Sequence, residues 1–186
     1  MNDKNPLVTI GIPVFNGEKL LKKRMESILN QTYQNFEIII SDNASTDNTS
    51  EICKEFLENN EKIHYFKQEK NFGYVNNFNY LIKEARGKYF TIAAVDDTWE
   101  KRFLEKNINV LENNKEIVGS IGIVKYFGNN ENKNEPSKIT RTLKKIARKQ
   151  NVDISEKHVQ TVSGKFEQKV DKYLRFNQGS FVYGVY

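Results

Sequence analysis

The stretch Tyr89-Phe-Thr-Ile-Ala-Ala-Val-Asp-Asp-Thr-Trp99 decides which fold the sequence predicts. Its apolar and β-prone residues predict a buried strand, and the run ends at two adjacent carboxylates, Asp96 and Asp97. Because an unpaired carboxylate is costly to bury, such a pair lies at the rim of a sheet or holds a cation. Asp97 also precedes a helical pattern, and aspartate is a favoured N-cap residue. From this stretch alone, a metal site and a helix cap both remain open.

Outward from this stretch, residues 1–128 alternate between β-type and helical patterns. The predicted strands cover residues 7–12, 36–41, 63–66, 88–95 and 117–127. The predicted helices cover residues 18–31, a segment after Asp47 with Ile52, Phe56 and Leu57, a segment from the Asn71–Gly73 turn to Ala85, and residues 100–113. Pro13 is expected to end the first strand, and Arg86-Gly87 to cap the third helix. Strands that alternate with helices predict a three-layer α/β/α sandwich with a mostly parallel central sheet.

The pattern breaks after residue 128, which divides the chain into residues 1–128 and residues 129–186. The second part holds 12 Lys and Arg against 6 Asp and Glu, whereas the first holds 17 against 18. The predicted elements in it are helices at 138–150 and 166–176 and a strand at 181–186 that the end of the chain leaves incomplete. Its positive charge is typical of a solvated face, and it also suits an acidic acceptor or an anionic membrane surface.

Composition excludes several classes of protein. No apolar stretch approaches the ~20 residues that span a bilayer, and the N-terminus lacks the apolar core of a signal peptide, so we expect a cytoplasmic protein. Cys53 is the single cysteine of the sequence, which excludes an internal disulfide and a cysteine-based zinc site, and we expect a packed, inert thiol. The sequence has no helix-turn-helix, zinc-finger or aromatic-basic RNA signature, so no nucleic-acid partner is expected.

Four strand-to-helix junctions carry polar side chains that suit a nucleotide. They are Pro13 to Glu18 after the first strand, Asp42 to Asp47 after the second, Asn71 to Gly73 after the third, and Asp96-Asp97 after the fourth. Because the carboxyl ends of parallel strands meet at one edge of a sheet, these four junctions are expected to form a shared site. Asp42 and Asp47 taken alone could equally be turn and cap residues. A plain Rossmann-like nucleotide binder is disfavoured, because no Gly-x-Gly-x-x-Gly follows the first strand.

From about Leu7 to Leu111 the sequence resembles the family 2 glycosyltransferases, inverting enzymes of the GT-A fold that use nucleotide-diphosphate sugars. The motifs that carry the resemblance are Val8-Thr-Ile-Gly-Ile-Pro-Val-Phe-Asn16, Ser27-Ile-Leu-Asn-Gln-Thr-Tyr33, Phe36-Glu-Ile-Ile-Ile-Ser-Asp-Asn-Ala-Ser-Thr-Asp47, Asn71-Phe-Gly73 and Ala93-Ala-Val-Asp-Asp-Thr-Trp99. Several motifs in this order make a more specific signal than the Asp pair alone.

The resemblance implies a role for each matching residue. Asp42 matches a carboxylate that accepts the N3–H of uracil or an equivalent base edge, and Asp97 matches the metal-binding carboxylate of the family's Asp-x-Asp motif. The implied nucleotide-sugar-binding residues are Pro13, Phe15, Asn16, Glu18, Asp42, Asn71, Gly73 and Asp96. The implied cofactor is Mg²⁺ or Mn²⁺, because hard cations prefer oxygen ligands and leave room for phosphates.

Three departures from the family pattern matter. Val95 stands where a full Asp-x-Asp motif has its first aspartate, and Phe78-Asn79 stands where many relatives carry Arg-Asn. The family's general base lies after the segment where this chain ends, so the catalytic residue is unknown. The late carboxylates Glu156, Glu167 and Asp171 are candidates without a recognisable motif, and ordinary surface positions explain them as well.

The resulting hypothesis is a glycosyltransferase that moves a sugar from a UDP-, GDP- or dTDP-type donor to a hydroxyl of a sugar or lipid-linked acceptor with inversion. The family suggests synthesis of a cell-surface polysaccharide or glycolipid, in the cytoplasm or at the inner face of the membrane. The alternative is a truncated module that binds the nucleotide sugar and lacks transfer activity.

Overall fold

The computed structural model describes residues 5–58 and 60–122, together with the backbone of residues 159–163 and 181–184. These segments form seven strands and four helices. The strands are β1 (Val8–Val14), β2 (Phe36–Asp42), β3 (Ile63–Lys67), β4 (Tyr89–Ile92), β5 (Ile117–Gly122), β6 (Val159–Ser163) and β7 (Phe181–Gly184). The helices are α1 (Leu21–Leu29), α2 (Thr49–Leu57), α3 (Tyr74–Glu84) and α4 (Phe103–Asn113).

The strands form one sheet in the order β3-β2-β1-β4-β7-β5-β6. Strands β1 to β4 pair in parallel, whereas β7 runs antiparallel to both β4 and β5, and β6 runs antiparallel to β5. The parallel half is built from βαβ units, as the alternating pattern predicts. Both β6 and β7 come from the part of the chain after residue 128 and complete the same sheet.

Helices cover both faces of the sheet, so the predicted three-layer architecture is confirmed. On one face Leu21, Cys53 and Leu104 of α1, α2 and α4 join a large core with β1 and β2. On the other face Leu81 of α3 packs against a smaller cluster with Ile39 and Phe90. The apolar β2 run is buried at every position because helices cover it from both sides.

Pro13 does not end β1, which continues through Val14. The nitrogen of Pro13 faces the β4 side of the strand, and the β1–β4 register ends at Gly11 and Ile92. At this position β1 has no paired β4 residue to which a backbone N–H would donate, so proline is tolerated inside the strand. Similarly β4 ends at Ile92, before Val95, so the carboxylate pair lies in a turn beyond the strand.

Helix ends differ from the predictions at three helices, and α1 covers Leu21–Leu29 rather than residues 18–31. α3 ends at Glu84 with Ala85 as C-cap in an extended conformation, so Arg86-Gly87 is not the cap. Gly87 is instead required by close approach, because a Cβ there would lie 2.6 Å from the backbone nitrogen of Thr9. α4 begins at Phe103 rather than near residue 100, because residues 97–102 form a separate loop that packs on α1.

Several predictions concern other parts of the chain. The predicted helices at 138–150 and 166–176, and residues 123–127 of the predicted fifth strand, lie outside the described residues. Within the part of the chain that the structure describes, no helix has the length and apolarity to cross a membrane. The buried Cys53 thiol agrees with the packed position expected for it, and burial together with the Asp42 charge raises its pKa to about 12.

Candidate functional site at the carboxyl edge of the sheet

The parallel register brings the four polar junctions to one edge of the sheet, as predicted. Val14 at the end of β1 pairs with Asp42 at the end of β2, and Asp42 pairs with Lys67 at the end of β3. Gly11 of β1 pairs with Ile92, the last residue of β4. The junctions therefore follow neighbouring strands at their carboxyl ends, where open α/β sheets bind ligands.

The first two junctions are joined by side-chain to backbone hydrogen bonds. Asn16, with a positive φ of 52°, accepts a hydrogen bond from the backbone of Thr46 through Oδ1 at 2.9 Å, and its own N–H donates to Ser45 Oγ at 2.9 Å. The Glu18 N–H donates to Asp47 Oδ2 at 3.0 Å, while Glu18 Oε2 accepts from the backbone of Asn48 at 3.2 Å. These contacts give Asn16 and Glu18 a clear role in holding two loops together.

Asp42 is fully buried. Its Oδ1 accepts a hydrogen bond from the Ser45 backbone at 2.7 Å, and its Oδ2 accepts from Tyr65 Oη at 2.7 Å and Ser50 Oγ at 3.3 Å. Burial and the Asp42 carboxylate raise the pKa of the Tyr65 hydroxyl, so this hydroxyl remains a donor. The structure thus places Asp42 at the end of β2, where its carboxylate holds the turn that follows, and its contact with a nucleotide base stays a prediction.

The residue after Asp42 links the second and third junctions. Asn43 is 4% exposed, donates through Nδ2 to Asn71 Oδ1 at 2.8 Å, and accepts from the Phe72 backbone at 2.9 Å. Asn71 Oδ1 also accepts from the Gly73 N–H at 2.9 Å, and Gly73 has a φ of 81°. Asn71 and Gly73 therefore form a tight turn fastened to β2. Asn43 is not among the site residues predicted from the sequence, although it lies within the Asp42–Asp47 motif.

The side chain of Phe15 lies 49% exposed beside these fastened loops. An aromatic ring that remains half in solvent next to a rigid polar edge is available to a flat ligand, because stacking needs an open face. Pro13 is half-buried in β1, directly before Val14, and shapes the strand end from which Phe15 projects.

Asp96 and Asp97 lie in the turn after β4 and are not a helix cap, because α4 has Arg102 at its N-cap position. Asp96 is exposed and Asp97 is half-buried. Burial raises the pKa of Asp97, the adjacent charge of Asp96 raises it further, and the charge of Arg24 partly opposes both. Within the described residues, no hydrogen bond or ion pair neutralises the two carboxylates. Because Arg102 is the N-cap of α4, the prediction that Asp97 caps this helix is wrong.

Side chains of α1 and of Gln31, which follows this helix, hold the loop that comes after the carboxylates. Ser27 Oγ accepts a hydrogen bond from the Trp99 backbone at 2.9 Å, and Gln31 Nε2 donates to the Glu100 backbone oxygen at 2.9 Å. Arg24, one turn earlier, donates through NH1 to the Asp97 backbone oxygen at 3.3 Å and lies over the Trp99 ring. None of these three residues was predicted from the sequence to have a role. For Arg24, the pattern that could have indicated one is a charged residue among the apolar positions Leu21, Met25 and Ile28 of the helix.

The carboxylate pair fits a divalent cation. Carboxylate oxygens are the ligands that Mg²⁺ and Mn²⁺ prefer, and two adjacent negative charges with a raised pKa at Asp97 favour a neutralising cation. The described residues contain no group of three His, Cys, Asp or Glu side chains that could hold a metal. Such a cation would therefore need further ligands beyond these described residues, and phosphate oxygens meet that need.

Comparison with protein families matches residues 9–171 to the model of "Glycosyl transferase family 2". An uncharacterized glycosyltransferase of Rickettsia typhi is 39% identical over 119 residues, which are 63% of this chain and 36% of that protein. Glycosyltransferase GlyG of Streptococcus pneumoniae is 38% identical over 99 residues, which are 53% of this chain and 33% of that protein. The chain thus spans about a third of the length of these relatives.

Solved structures share the architecture. A mannosyltransferase from Pyrobaculum calidifontis in complex with GDP-Man and Mn²⁺ superposes with a TM-score of 0.60 at 23% identity, covering 67% of this chain and 37% of that chain. S. aureus TarS 1–349 in complex with UDP-GlcNAc superposes with a TM-score of 0.56 at 24% identity, covering 60% of this chain and 32% of that chain. At these identities the likeness shows the fold, which is the GT-A fold that the sequence motifs imply.

Proposed function

This chain belongs to glycosyl transferase family 2, and from that membership we propose that it forms the donor-binding part of an enzyme that transfers a sugar from a nucleotide diphosphate to an acceptor hydroxyl with inversion. The observation that carries the proposal is the Asp96–Asp97 pair at the carboxyl edge of the sheet, whose carboxylates form no hydrogen bond or ion pair among the described residues. It lies next to loops held together by Asn16, Glu18 and Asn43. A sugar diphosphate with a divalent cation supplies the charges and ligands that this edge lacks.

The residues of the edge divide into two groups by their exposure and contacts. Phe15 presents an open ring for the base or ribose, and Asp96 presents an exposed carboxylate toward the donor. Asn16, Glu18, Asn71 and Gly73 keep the loops rigid, which lowers the entropy lost when a donor binds. Asp97 would hold Mg²⁺ or Mn²⁺. When bound, the cation supplies positive charge that stabilises the leaving nucleoside diphosphate.

Both nucleotide types seen in the structural neighbours fit this chemistry, since the mannosyltransferase holds GDP-Man and TarS holds UDP-GlcNAc. We keep UDP, GDP and dTDP sugars as the donor class and a sugar or lipid-linked hydroxyl as the acceptor. Family analogy suggests a cell-surface polysaccharide or glycolipid as the product, made in the cytoplasm or at the inner face of the membrane. Residues 129–186, with their excess of basic side chains, would lie on the acceptor side and could contact an anionic membrane.

No described residue is assigned as the general base. An inverting displacement requires a carboxylate within hydrogen-bond reach of the acceptor hydroxyl. The late carboxylates Glu156, Glu167 and Asp171 lie outside the described residues. Donor binding is therefore the part of the function that these contacts support best, and the catalytic residue remains unassigned.

The test is D97A in the full-length protein, with calorimetric titration of UDP-, GDP- and dTDP-sugars in the presence and absence of Mn²⁺. We expect wild-type protein to bind one donor class more tightly with Mn²⁺, and D97A to lose at least tenfold in that affinity because the cation loses its carboxylate ligand. E26A, which removes an exposed carboxylate of α1, is the matched control and should bind as the wild type does. Equal binding by D97A and wild type would overturn the metal role. Donor binding without transfer to any acceptor would favour the binding-module alternative.

A further inference from the structure

Arg24 on α1 is fully buried, yet it has few partners. Its NH1 group donates to the Asp97 backbone oxygen at 3.3 Å, and its Cζ atom lies 4.1 Å from the centroid of the Trp99 ring. The Nε and NH2 groups have no hydrogen-bond partner among the described residues. A buried guanidinium normally satisfies its donors with a carboxylate, because an unpaired buried charge is costly.

Burial lowers the pKa of Arg24 to about 10, and the charges of Asp97 and Asp96 oppose that shift. The group therefore stays positive at neutral pH. The charge of Arg24 acts on Asp97 in return, because it opposes the rise in the pKa of that carboxylate. The two carboxylates are thus the negative charges that favour the cation, although neither forms an ion pair with it.

The position of Arg24 gives this charge a direct relation to the candidate metal site. Ser27 and Gln31 already hold the 97–102 loop through neutral hydrogen bonds to Trp99 and Glu100, and Gln31 Oε1 also accepts from the N–H of Leu104 in α4 at 3.0 Å. Attaching the loop to α1 therefore does not require a charge. What the arginine adds, beyond one long hydrogen bond to the Asp97 backbone, is a buried positive charge next to the Asp96–Asp97 pair in a region of low dielectric.

We propose that Arg24 is the internal counter-ion of the Asp96–Asp97 pair: it compensates their charge in the metal-free protein, and a divalent cation binds against its positive charge. The first half rests on the contacts of Arg24 alone, and the second half rests on the proposed metal site at Asp97. The counter-ion lowers the affinity of the bare carboxylates for free cation. The negative charge of a sugar diphosphate offsets the arginine, so the donor and the cation bind in a coupled way.

A double-mutant cycle tests the first half without any metal. R24M replaces the guanidinium by an apolar chain of similar length, and D97N removes the negative charge. Urea unfolding of wild type, R24M, D97N and the double variant in EDTA gives the coupling between the two positions. We expect R24M to shift the unfolding equilibrium constant about tenfold more toward unfolding in the wild-type background than in D97N. Additive effects within about twofold would overturn the counter-ion. If R24M does not fold, R24Q removes the charge and keeps a donor for the Asp97 backbone.

Titration with Mn²⁺ alone, followed by electron paramagnetic resonance, tests the second half. We expect R24M to bind free Mn²⁺ about tenfold more tightly than wild type, because the opposing charge is gone, and R24K to bind within about threefold of wild type. Added UDP or GDP should tighten Mn²⁺ binding less in R24M than in wild type. S27A loosens the same loop without changing charge and should not tighten Mn²⁺ binding.

The outcomes separate this proposal from the proposed function. Weaker Mn²⁺ binding by R24M, as in D97A, would show that Arg24 only holds the loop and would overturn the counter-ion role at the metal site. Wild-type protein that binds neither Mn²⁺ nor a nucleotide sugar would overturn the proposed function and with it the second half of this inference. The unfolding cycle would still decide whether Arg24 compensates the two carboxylates.

Discussion

Carboxylates at the two edges of the parallel sheet, formed by the amino ends and the carboxyl ends of its strands, have opposite environments. At the amino edge, Glu37 near the start of β2 is 5% exposed and accepts hydrogen bonds from Thr9 Oγ1 at 2.6 Å and from the Arg86 backbone and Nε at 3.1 and 2.9 Å. At the carboxyl edge, Asp96 and Asp97 face each other's charge and a buried arginine that does not pair with them. The same chemical group is thus fully satisfied at one edge and left short of partners at the other.

The pKa values follow this contrast. Burial alone would raise the pKa of Glu37, but hydrogen bonds from Thr9 and Arg86 outweigh it and hold the pKa below its ordinary value of 4.5. Burial and Asp96 raise the pKa of Asp97 above its ordinary 3.8. We infer that the amino edge contributes stability, whereas the carboxyl edge retains an electrostatic deficit that a ligand can relieve.

The largest expected loss of stability is that of E37A, which removes the acceptor of the hydrogen bonds from Thr9 and Arg86 at the amino edge. Removing the carboxylate leaves the buried Thr9 hydroxyl without its acceptor and breaks the ion pair with the Arg86 guanidinium, so we expect a loss of about 3 kcal/mol in the free energy of unfolding. Urea denaturation measures this loss. D97N at the other edge should cost less than E37A, because burial and Asp96 disfavour the Asp97 charge, while the lost attraction to Arg24 offsets part of that gain.

A surface ion pair provides the control for E37A. Glu51 pairs with Lys54 within α2 at 2.8 Å, and both side chains are more than half exposed. E51A should therefore change the free energy of unfolding by about 0.5 kcal/mol or less. A cost for E37A no greater than that of E51A, or a cost for D97N equal to that of E37A, would contradict the proposed difference between the edges.

Glycine substitutions compare the packing of the two edges. G87A at the amino edge would place a Cβ 2.6 Å from the Thr9 nitrogen and 2.8 Å from the Leu7 oxygen, so we expect a loss of about 2 kcal/mol in unfolding free energy. G73A at the carboxyl edge meets no atom within 4 Å and is strained only by its φ of 81°, which should cost about 1 kcal/mol. Thermal unfolding of the two variants decides the order, and a larger loss for G73A would reverse the comparison.

The smallest expected effect is on the pH dependence of the unfolding free energy, to which Glu37 and Asp97 contribute with opposite sign. Glu37 contributes stability that is complete above its unfolded pKa of about 4.5 and is lost as pH falls through its lower folded pKa. Asp97 acts with the opposite sign, because its raised folded pKa makes its contribution more favourable as pH falls toward 3.8. Unfolding free energies of E37Q and D97N between pH 3 and pH 7 should show a weaker acid loss for E37Q and a stronger one for D97N. Identical pH profiles for both variants and wild type would refute this assignment.

Much of the fold follows from local patterns. The continuous apolar run of β2 and the helical spacing of Leu21, Met25 and Ile28 correctly predicted a buried strand and a helix, because burial on one face or two leaves a clear period in the sequence. Element ends were less predictable. The extension of β1 through Pro13 depends on where β4 stops. Beyond the end of α3 at Glu84, the backbone N–H groups of Arg86 and Gly87 donate to Thr9 Oγ1 instead of continuing the helix.

The candidate site divides in the same way. The sequence by itself determined the family, the order of its motifs and the carboxyl-edge position of Asp42, Asn71 and Asp97, because parallel βαβ units place successive junctions at one edge. Only the tertiary structure decided what those residues contact. It buried Asp42 at the end of β2 and brought Arg24 of α1 into contact with the backbone of Asp97, 73 positions away along the chain. Burial and long-range electrostatics depend on which elements pack together, and no local period in a single sequence encodes that.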